Sequence, residues 1–383
     1  MKKTLLAAAL LAGFAGAASA QSSVTMYGVL DGGLRYNKVS LSNGSGVSNF
    51  GLAYGQQSGN RWGLKGVEDI GGGNRVTFML ETGFDLGNST LQQGGRIFGR
   101  AAWLGLENKS WGLVRIGRQT NYASQYVTGP VDPGSLAVPT SMGKAFGVGN
   151  TDRLSNAIMY QTPNMSGFQA GVGYSFATAN TAYYTAAAGG GTSGTGYNFA
   201  TSNNTRQLTL GAKYANGPIY VAASYDKIYG QESKGANASI SSWNLSGSYN
   251  FKVVKLAAAY GQTRDGVILG SGAGGSGASI AGNPIGSGEL VFAPAVGTNS
   301  YLLGATIPVN PVSKVWLSWT MLSPNSYMKD AYNAQNQSAY NLGYSYNFTK
   351  RTNLYAMFAY INNVATIDTA KSTLFTVGMR HMF

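Results

Sequence analysis

Charged side chains are sparse in this 383-residue sequence, and their placement on an alternating pattern decides what chemistry they can carry. In "NRWGLKG" the apolar Trp62 and Leu64 take one face of a period-two pattern and leave Arg61, Gly63 and Lys65 on the other. Val76, Phe78 and Leu80 set Arg75 and Glu81 apart in the same way, and Met26, Leu30 and Leu34 set apart Asp31 and Arg35. Cations and a few carboxylates confined to one face of extended segments supply fixed charge, not a nucleophile. They can act on passing ions, or they can brace loops and pair with one another.

Covalent and metal chemistry find little support. There is no cysteine and only one histidine, His381, which excludes a soft or imidazole-rich metal site and leaves only hard cations such as calcium at loop carboxylates open. The run "GAGGSG" from Gly272 to Gly277 fits G-x-G-x-x-G but lies in a low-complexity stretch without a strand–turn–helix context, so it does not read as a dinucleotide site. The sequence is basic, yet it contains no nucleic-acid recognition module. No cofactor is expected, and no enzymatic activity.

The elements that must hold these charges follow from composition and periodicity. "MKKTLLAAALLAGFAGAASA" has a basic head, an apolar middle and a small-residue end, so residues 1–20 read as a cleaved secretory signal and 21–383 as one domain. Removing Lys2 and Lys3 from 27 basic side chains leaves 25 against 14 acidic ones, a net charge of +11. Charged residues make up 11% of the chain against roughly 25% in an ordinary soluble domain, and Gly contributes 55 positions. So few charges imply a surface that partly avoids water. No later stretch is long and apolar enough for a membrane helix, which leaves a closed β-barrel as the lipid-compatible backbone.

Alternation supports that barrel. In "YNLGYSYNF", Tyr340, Leu342, Tyr344, Tyr346 and Phe348 oppose small polar residues, and "FQAGVGYSF" and "QLTLGAKY" divide the same way. Aromatic residues at segment ends suit the two membrane interfaces, and a small polar face suits a wet lumen. Sixteen segments are expected, near 24–36, 59–69, 74–85, 98–107, 112–119, 153–161, 167–177, 205–214, 218–228, 240–250, 252–263, 298–308, 313–322, 337–348, 351–361 and 373–383. Short connections such as 71–73, 108–110, 215–217 and 349–350 alternate with long ones, placing short turns and both termini in the periplasm. The closing segment "KSTLFTVGMRHMF" sets Phe375, Val377, Met379 and Phe383 on one face, with His381 as an interfacial ring in the same row. The fold class is an all-β, sixteen-stranded antiparallel transmembrane barrel, wide enough for an aqueous channel.

The runs "SSVTMYGVLDGGLRYN", "NRWGLKGVEDIGGGNRVTFMLETGF", "FGRAAWLGLENKSWGLVRIGRQ", "DRLSNAIMYQTPNMSGF" and the terminal "GMRHMF" resemble the general diffusion porins of Gram-negative outer membranes, in particular their beta-proteobacterial branch. The resemblance implies a passive channel for small hydrophilic solutes and inorganic ions, surrounded by outer-membrane lipid. It also implies a third loop folded into the barrel, a homotrimer, and a C-terminal Phe383 recognised by the barrel assembly machinery. It places Arg61, Arg100 and Arg153 on the wall of a constriction; the period-two pattern adds Glu81, Arg75 and Arg35 as further inward charges, and Asp132 is either the facing loop carboxylate or an ordinary turn residue before Pro133. The loop at 120–152 departs from the family's usual acid-rich Pro-Glu-Phe-Gly-Gly-like stretch. Apart from Asp152 at the strand edge, Asp132 is its only carboxylate, so the constriction is expected to be basic and to prefer anions. Trimer contacts are expected on the outward faces of the early strands, where Gly28 and Gly32 permit close approach. Alternatives are a solute- or anion-specific channel and, from other classes, an outer-membrane enzyme or adhesin.

Overall fold

Period-two alternation becomes strand wherever the described chain carries it. The computed structural model describes residues 22–41, 46–133, 146, 153–178, 205–230, 239–268, 279–280, 283–284 and 290–383. The expected signal, the Gly272–Gly277 run and Asp152 lie outside the described residues. In chain order the strands are β1 Ser23–Ser40, β2 Gly46–Tyr54, β3 Arg61–Gly71, β4 Asn74–Gly83, β5 Ala101–Asn108, β6 Gly112–Thr120, β7 Arg153–Gln161, β8 Phe168–Ser175, β9 Arg206–Asn216 and β10 Ile219–Tyr229. They continue with β11 Ser239–Asn250, β12 Lys255–Ile268, a small hairpin of β13 Ser279–Ile280 and β14 Asn283–Pro284, then β15 Leu290–Asn310, β16 Ser313–Pro324, β17 Gln337–Asn347, β18 Thr352–Asn362 and β19 Lys371–Met382.

All pairings in the large sheet are antiparallel, and β1 pairs with β19 from Val29↔Met382 to Ser40↔Lys371, which closes the sheet on itself. Closure removes both edges, so the backbone satisfies its own hydrogen bonds in lipid. Seventeen strands take part, but β2 and β3 both pair with β1 and share one position, giving sixteen staves. Short turns recur where expected; at 71–73 three consecutive glycines hold φ of +84°, +62° and +77°, which other residues rarely adopt.

The outward face is apolar: Leu104, Ile116, Leu245, Leu303, Leu342 and Phe375 are all exposed. The inward face is small and polar, with Thr209, Ser224, Ser246, Thr263 and Ser318 buried. This division is inverted relative to a soluble protein and matches a chain with lipid outside and water within.

Two expectations need correction. Residues 46–54, read as part of a long polar connection, form β2: β1 runs on to Ser40 and the chain returns along it from Gly46↔Ser40 to Tyr54↔Gly32. The Ser, Asn and Gly content of this stretch hides the strand, because here backbone pairing supplies the order. Likewise β12 and β15 extend beyond 263 and before 298, pairing Gly266–Ile268 with Leu290–Phe292. The other correction concerns Gly28 and Gly32, which are not open to a neighbouring subunit. A Cβ at Gly28 would lie 2.3 Å from the Phe383 ring, and one at Gly32 would meet Leu86 at 3.3 Å and the Tyr54 ring at 3.4 Å. Both gaps are filled from within the chain.

Candidate functional site

The broken second stave begins the site. Tyr54 pairs with Gly32 and Arg61 with Val29, so the six residues 55–60 oppose only Leu30 and Asp31. Resuming after this excursion, β3 brings Arg61 beside β4, where Gly63 faces Glu81. Glu81 is the hub. Arg100 Nε lies 2.6 Å from its Oε1, Arg61 Nε lies 3.6 Å from its Oε2, and the Tyr27 hydroxyl donates to Oε2 at 2.8 Å. Lys65 reaches over the Tyr27 ring, 5.4 Å from its centroid. Arg61 also donates to Ser58 Oγ at 3.2 Å and to the Gly59 carbonyl at 3.0 Å. Two arginines therefore flank one carboxylate on the lumenal wall, with Lys65 beyond Tyr27, and the local charge stays positive.

A second chain of contacts carries the line onward. Arg118 donates from Nε to the carbonyl of Gly99, next to Arg100, and from Nη1 to the Arg153 carbonyl and to Ser155 Oγ, at 2.8, 3.1 and 2.7 Å. Arg118 thereby ties the backbones carrying Arg100 and Arg153 into one row across β5, β6 and β7. Sequence parity does not single it out: Arg118 pairs with Ala102 in unbroken register with Leu104↔Ile116, and the extra residue of the β6–β7 register shift lies on β7, next to Ser155, which Arg118 contacts. Arg115, also unassigned from sequence, donates to Gln125 Oε1 at 3.1 Å and stacks over Trp103.

The remaining expected site residues lie apart from this cluster. Arg75 pairs with Glu107 at 2.8 Å beside the short turns, six residues and about 20 Å along β4 from Glu81. Arg35 contacts Gln56 Oε1 at 3.4 Å, about 20 Å along β1 from Val29 and toward the long-loop side. Asp132 ends a helical turn at Gly129–Val131 and donates its N–H to the Thr128 carbonyl. Its neighbours reach the opposite wall: Pro130 accepts from Lys255 Nζ on β12 at 3.1 Å, and Pro133 packs on Gly304 of β15. By strand order, β12 and β15 lie across the lumen from β3–β5.

The described part of the third loop packs along the inner wall from β7 round to β15. Tyr122 N–H donates to Thr209 Oγ1 at 3.0 Å and its hydroxyl to the Tyr160 carbonyl at 2.6 Å; Tyr220 donates to the Tyr126 carbonyl at 2.5 Å. Asn121 donates to the buried Asp226, which also accepts from Gln207. Tyr122, Tyr126, Val127, Val131 and Phe146 form an apolar cluster with Leu154, Met159, Ala222, Ala257 and Leu302. Burial pushes the phenols of Tyr122 and Tyr126 above the usual tyrosine range, so both stay neutral. Glycine at 304 is required by this packing, since a Cβ there would lie 2.3 Å from Pro133 Cγ. Gly304→Val is therefore expected to lift the loop off the wall and change single-channel conductance, while Ala305→Gly, on the outward side of the same strand, leaves conductance at the native value; planar-bilayer recording of the two variants checks this.

Among the described residues no group of three or more His, Cys, Asp or Glu could hold a metal ion. The arrangement is an array of fixed charges along a water-accessible wall, facing an inserted loop.

Comparison with known proteins agrees with this geometry. A family model described as Gram-negative porin matches residues 7–366. The chain is 44% identical to an outer membrane porin protein of Bordetella pertussis, over all of both chains. It is 34% identical to outer membrane porin protein 32 of Delftia acidovorans, covering 95% of this chain and 90% of that one. The solved anion-selective porin from Comamonas acidovorans superposes with a TM-score of 0.66 at 25% identity, over 95% of this chain and 100% of that one. A barrel of sixteen staves with a charged inner wall, matched to this model and these relatives over nearly its whole length, belongs to the Gram-negative porins of the outer membrane.

Proposed function

We propose that this porin is a general diffusion channel: a passive, water-filled path for small hydrophilic solutes and inorganic ions, with a preference for anions and no catalytic activity. One observation carries the reading, the pairing of both Arg61 and Arg100 with the single carboxylate of Glu81 on the lumenal wall, with Lys65 over the neighbouring Tyr27 ring. Charges of one sign in a narrow, low-dielectric passage raise the local concentration of the opposite ion. The name of the Comamonas acidovorans relative, an anion-selective porin, supports the same sign.

In this reading Arg61, Arg100 and Arg153 line the constriction, Arg118 holds two of them in one row, and Asp132 contributes charge from the facing loop. Arg35 and Arg75 steer ions at the two mouths. Three barrels assemble through the apolar outward faces of the early strands, where Met26, Phe50 and Leu52 are strongly exposed.

Purified protein in a planar bilayer tests this. Openings are expected in groups of three, with an anion-selective zero-current potential across a tenfold KCl gradient. The potential should shrink with salt, because the screening length falls from about 30 Å at 0.01 M to about 3 Å at 1 M. A cation-selective sign would overturn the assignment of the wall charges, and conductance saturating with one solute would favour a solute-specific channel.

A further inference from the structure

The contacts that hold Arg61 lead back to a carboxylate the channel never touches. Asp31 is 0% exposed. Its Oδ2 accepts the backbone N–H groups of Gln57 and Ser58 at 2.8 and 2.7 Å, and its Oδ1 accepts the Tyr355 hydroxyl at 2.5 Å. The Asp31 backbone also takes part, its N–H donating to Asn60 Oδ1 at 2.6 Å and its carbonyl accepting from Gly55 N–H at 2.9 Å. Both ends and the middle of the 55–60 excursion are thus fastened to one residue.

The direction of the excursion is fixed by its far contact. Gln57 Oε1 accepts from Asn353 Nδ2 at 3.0 Å, and Asn353 Oδ1 accepts from Arg380 Nε at 3.1 Å. Asn353 and Tyr355 alternate with the exposed Leu354 on β18, so they face the lumen. To reach them from β2 the chain must cross the inner surfaces of β1 and β19. The excursion therefore overlies the closing seam of the barrel, and strand order puts it across the lumen from β9 and β10, where Tyr122 and Tyr126 of the third loop are fixed.

We propose that residues 55–60 form a second constriction element, facing the third loop, and that Asp31 is the positioning residue that pins it and so orients Arg61 for ion selection. A buried carboxylate suits the task because it accepts several N–H and O–H donors at once, and such charge-assisted hydrogen bonds are about twice as strong as neutral ones. Asparagine at this position would keep one oxygen for the N–H groups of Gln57 and Ser58 but lose the charge that strengthens those bonds, and it would turn its NH2 toward the Tyr355 hydroxyl, which must then accept. Released from Asp31, the turn no longer holds the Ser58 hydroxyl and Gly59 carbonyl that fix Arg61. The selectivity part of this proposal rests on the anion-channel reading above; the pinning part does not.

The test uses the full chain in planar bilayers, native, Asp31→Asn and Tyr355→Phe, for permeability and noise, and a parallel set of the three carrying Ser58→Cys for the thiol reading alone, since the sequence has no cysteine of its own. In Asp31→Asn the anion-over-cation permeability ratio should fall about twofold, open-channel current noise should rise, and a water-soluble thiosulfonate should modify the introduced thiol severalfold faster. Tyr355→Phe, which removes one donor and leaves both backbone amides, should shift all three readings in the same direction by less. A folded Asp31→Asn barrel with native permeability ratio and native thiol rate would overturn the proposal, even if it melts earlier, because a merely structural carboxylate would change only stability. If Asp31→Asn does not fold, unchanged readings in Tyr355→Phe overturn it. A native channel that proves cation-selective would reject the anion reading, and the thiol rate would still decide whether Asp31 pins the turn.

Discussion

Serine in place of both Arg61 and Arg100 is expected to abolish the anion preference of the channel. Arg61 and Arg100 both pair with Glu81, and Lys65 lies beyond it over the Tyr27 ring; the double variant removes both partners of Glu81 and leaves Lys65 as the cation of this cluster. Local charge then falls from clearly positive to neutral. A unit charge at 4 Å is worth about 1 kcal/mol in bulk water and about 4 kcal/mol at an effective dielectric near 20, so two lost charges are large against thermal energy. The zero-current potential across a tenfold KCl gradient at low mean salt should drop to near zero. Glu81→Gln supplies the opposite sign, because it removes the only carboxylate of the cluster and should strengthen the native potential. A double variant that keeps the native potential would show that selection occurs elsewhere in the pore.

How far this site could be read from sequence depends on which physical signal each part leaves. The barrel was legible because lipid outside and water inside impose a period-two contrast on nearly every stave. The inward direction of Arg61, Arg75 and Glu81 followed from the same contrast. The role of Arg118 did not, because period-two parity only groups it with Ile116 and says nothing of the Gly99 and Arg153 carbonyls that its guanidinium joins. The 55–60 excursion was also hidden. "GQQSGN" has the composition of any polar loop, and nothing local reveals that Asp31, some 26 positions earlier, takes two of its amides. Long-range packing sets the remaining limits: Tyr122 and Tyr126 look like ordinary loop aromatics until the walls that receive them close around the lumen. The trimer-facing role expected of Gly28 failed for the same reason, since the side chain that occupies its gap comes from the last residue of the chain.

That last contact leads to the largest expected effect of a single change, on assembly. Phe383 N–H donates to the Gly28 carbonyl at 3.1 Å and Gly28 N–H donates to the Phe383 carbonyl at 3.0 Å, one step beyond the β1·β19 ladder. The ring lies over Gly28 on the outward face, and any side chain at position 28 would collide with it. Deleting Phe383 removes both hydrogen bonds and the ring together, at the point where the first and last staves must join. A charged replacement places that charge at the lipid-facing rim, where desolvation opposes it. Deletion of Phe383 or Phe383→Asp should therefore lower the amount of folded barrel in the outer membrane severalfold, while the channels that do insert keep native conductance and ion preference. Gly28→Leu distinguishes a seam effect from recognition of the terminus itself. It displaces the ring without altering the C-terminal residue, so equal loss of folded barrel would assign the defect to closure of the seam, and normal levels would assign it to the terminal phenylalanine as a signal. Outer-membrane levels of the two Phe383 variants matching the native chain would reject both roles.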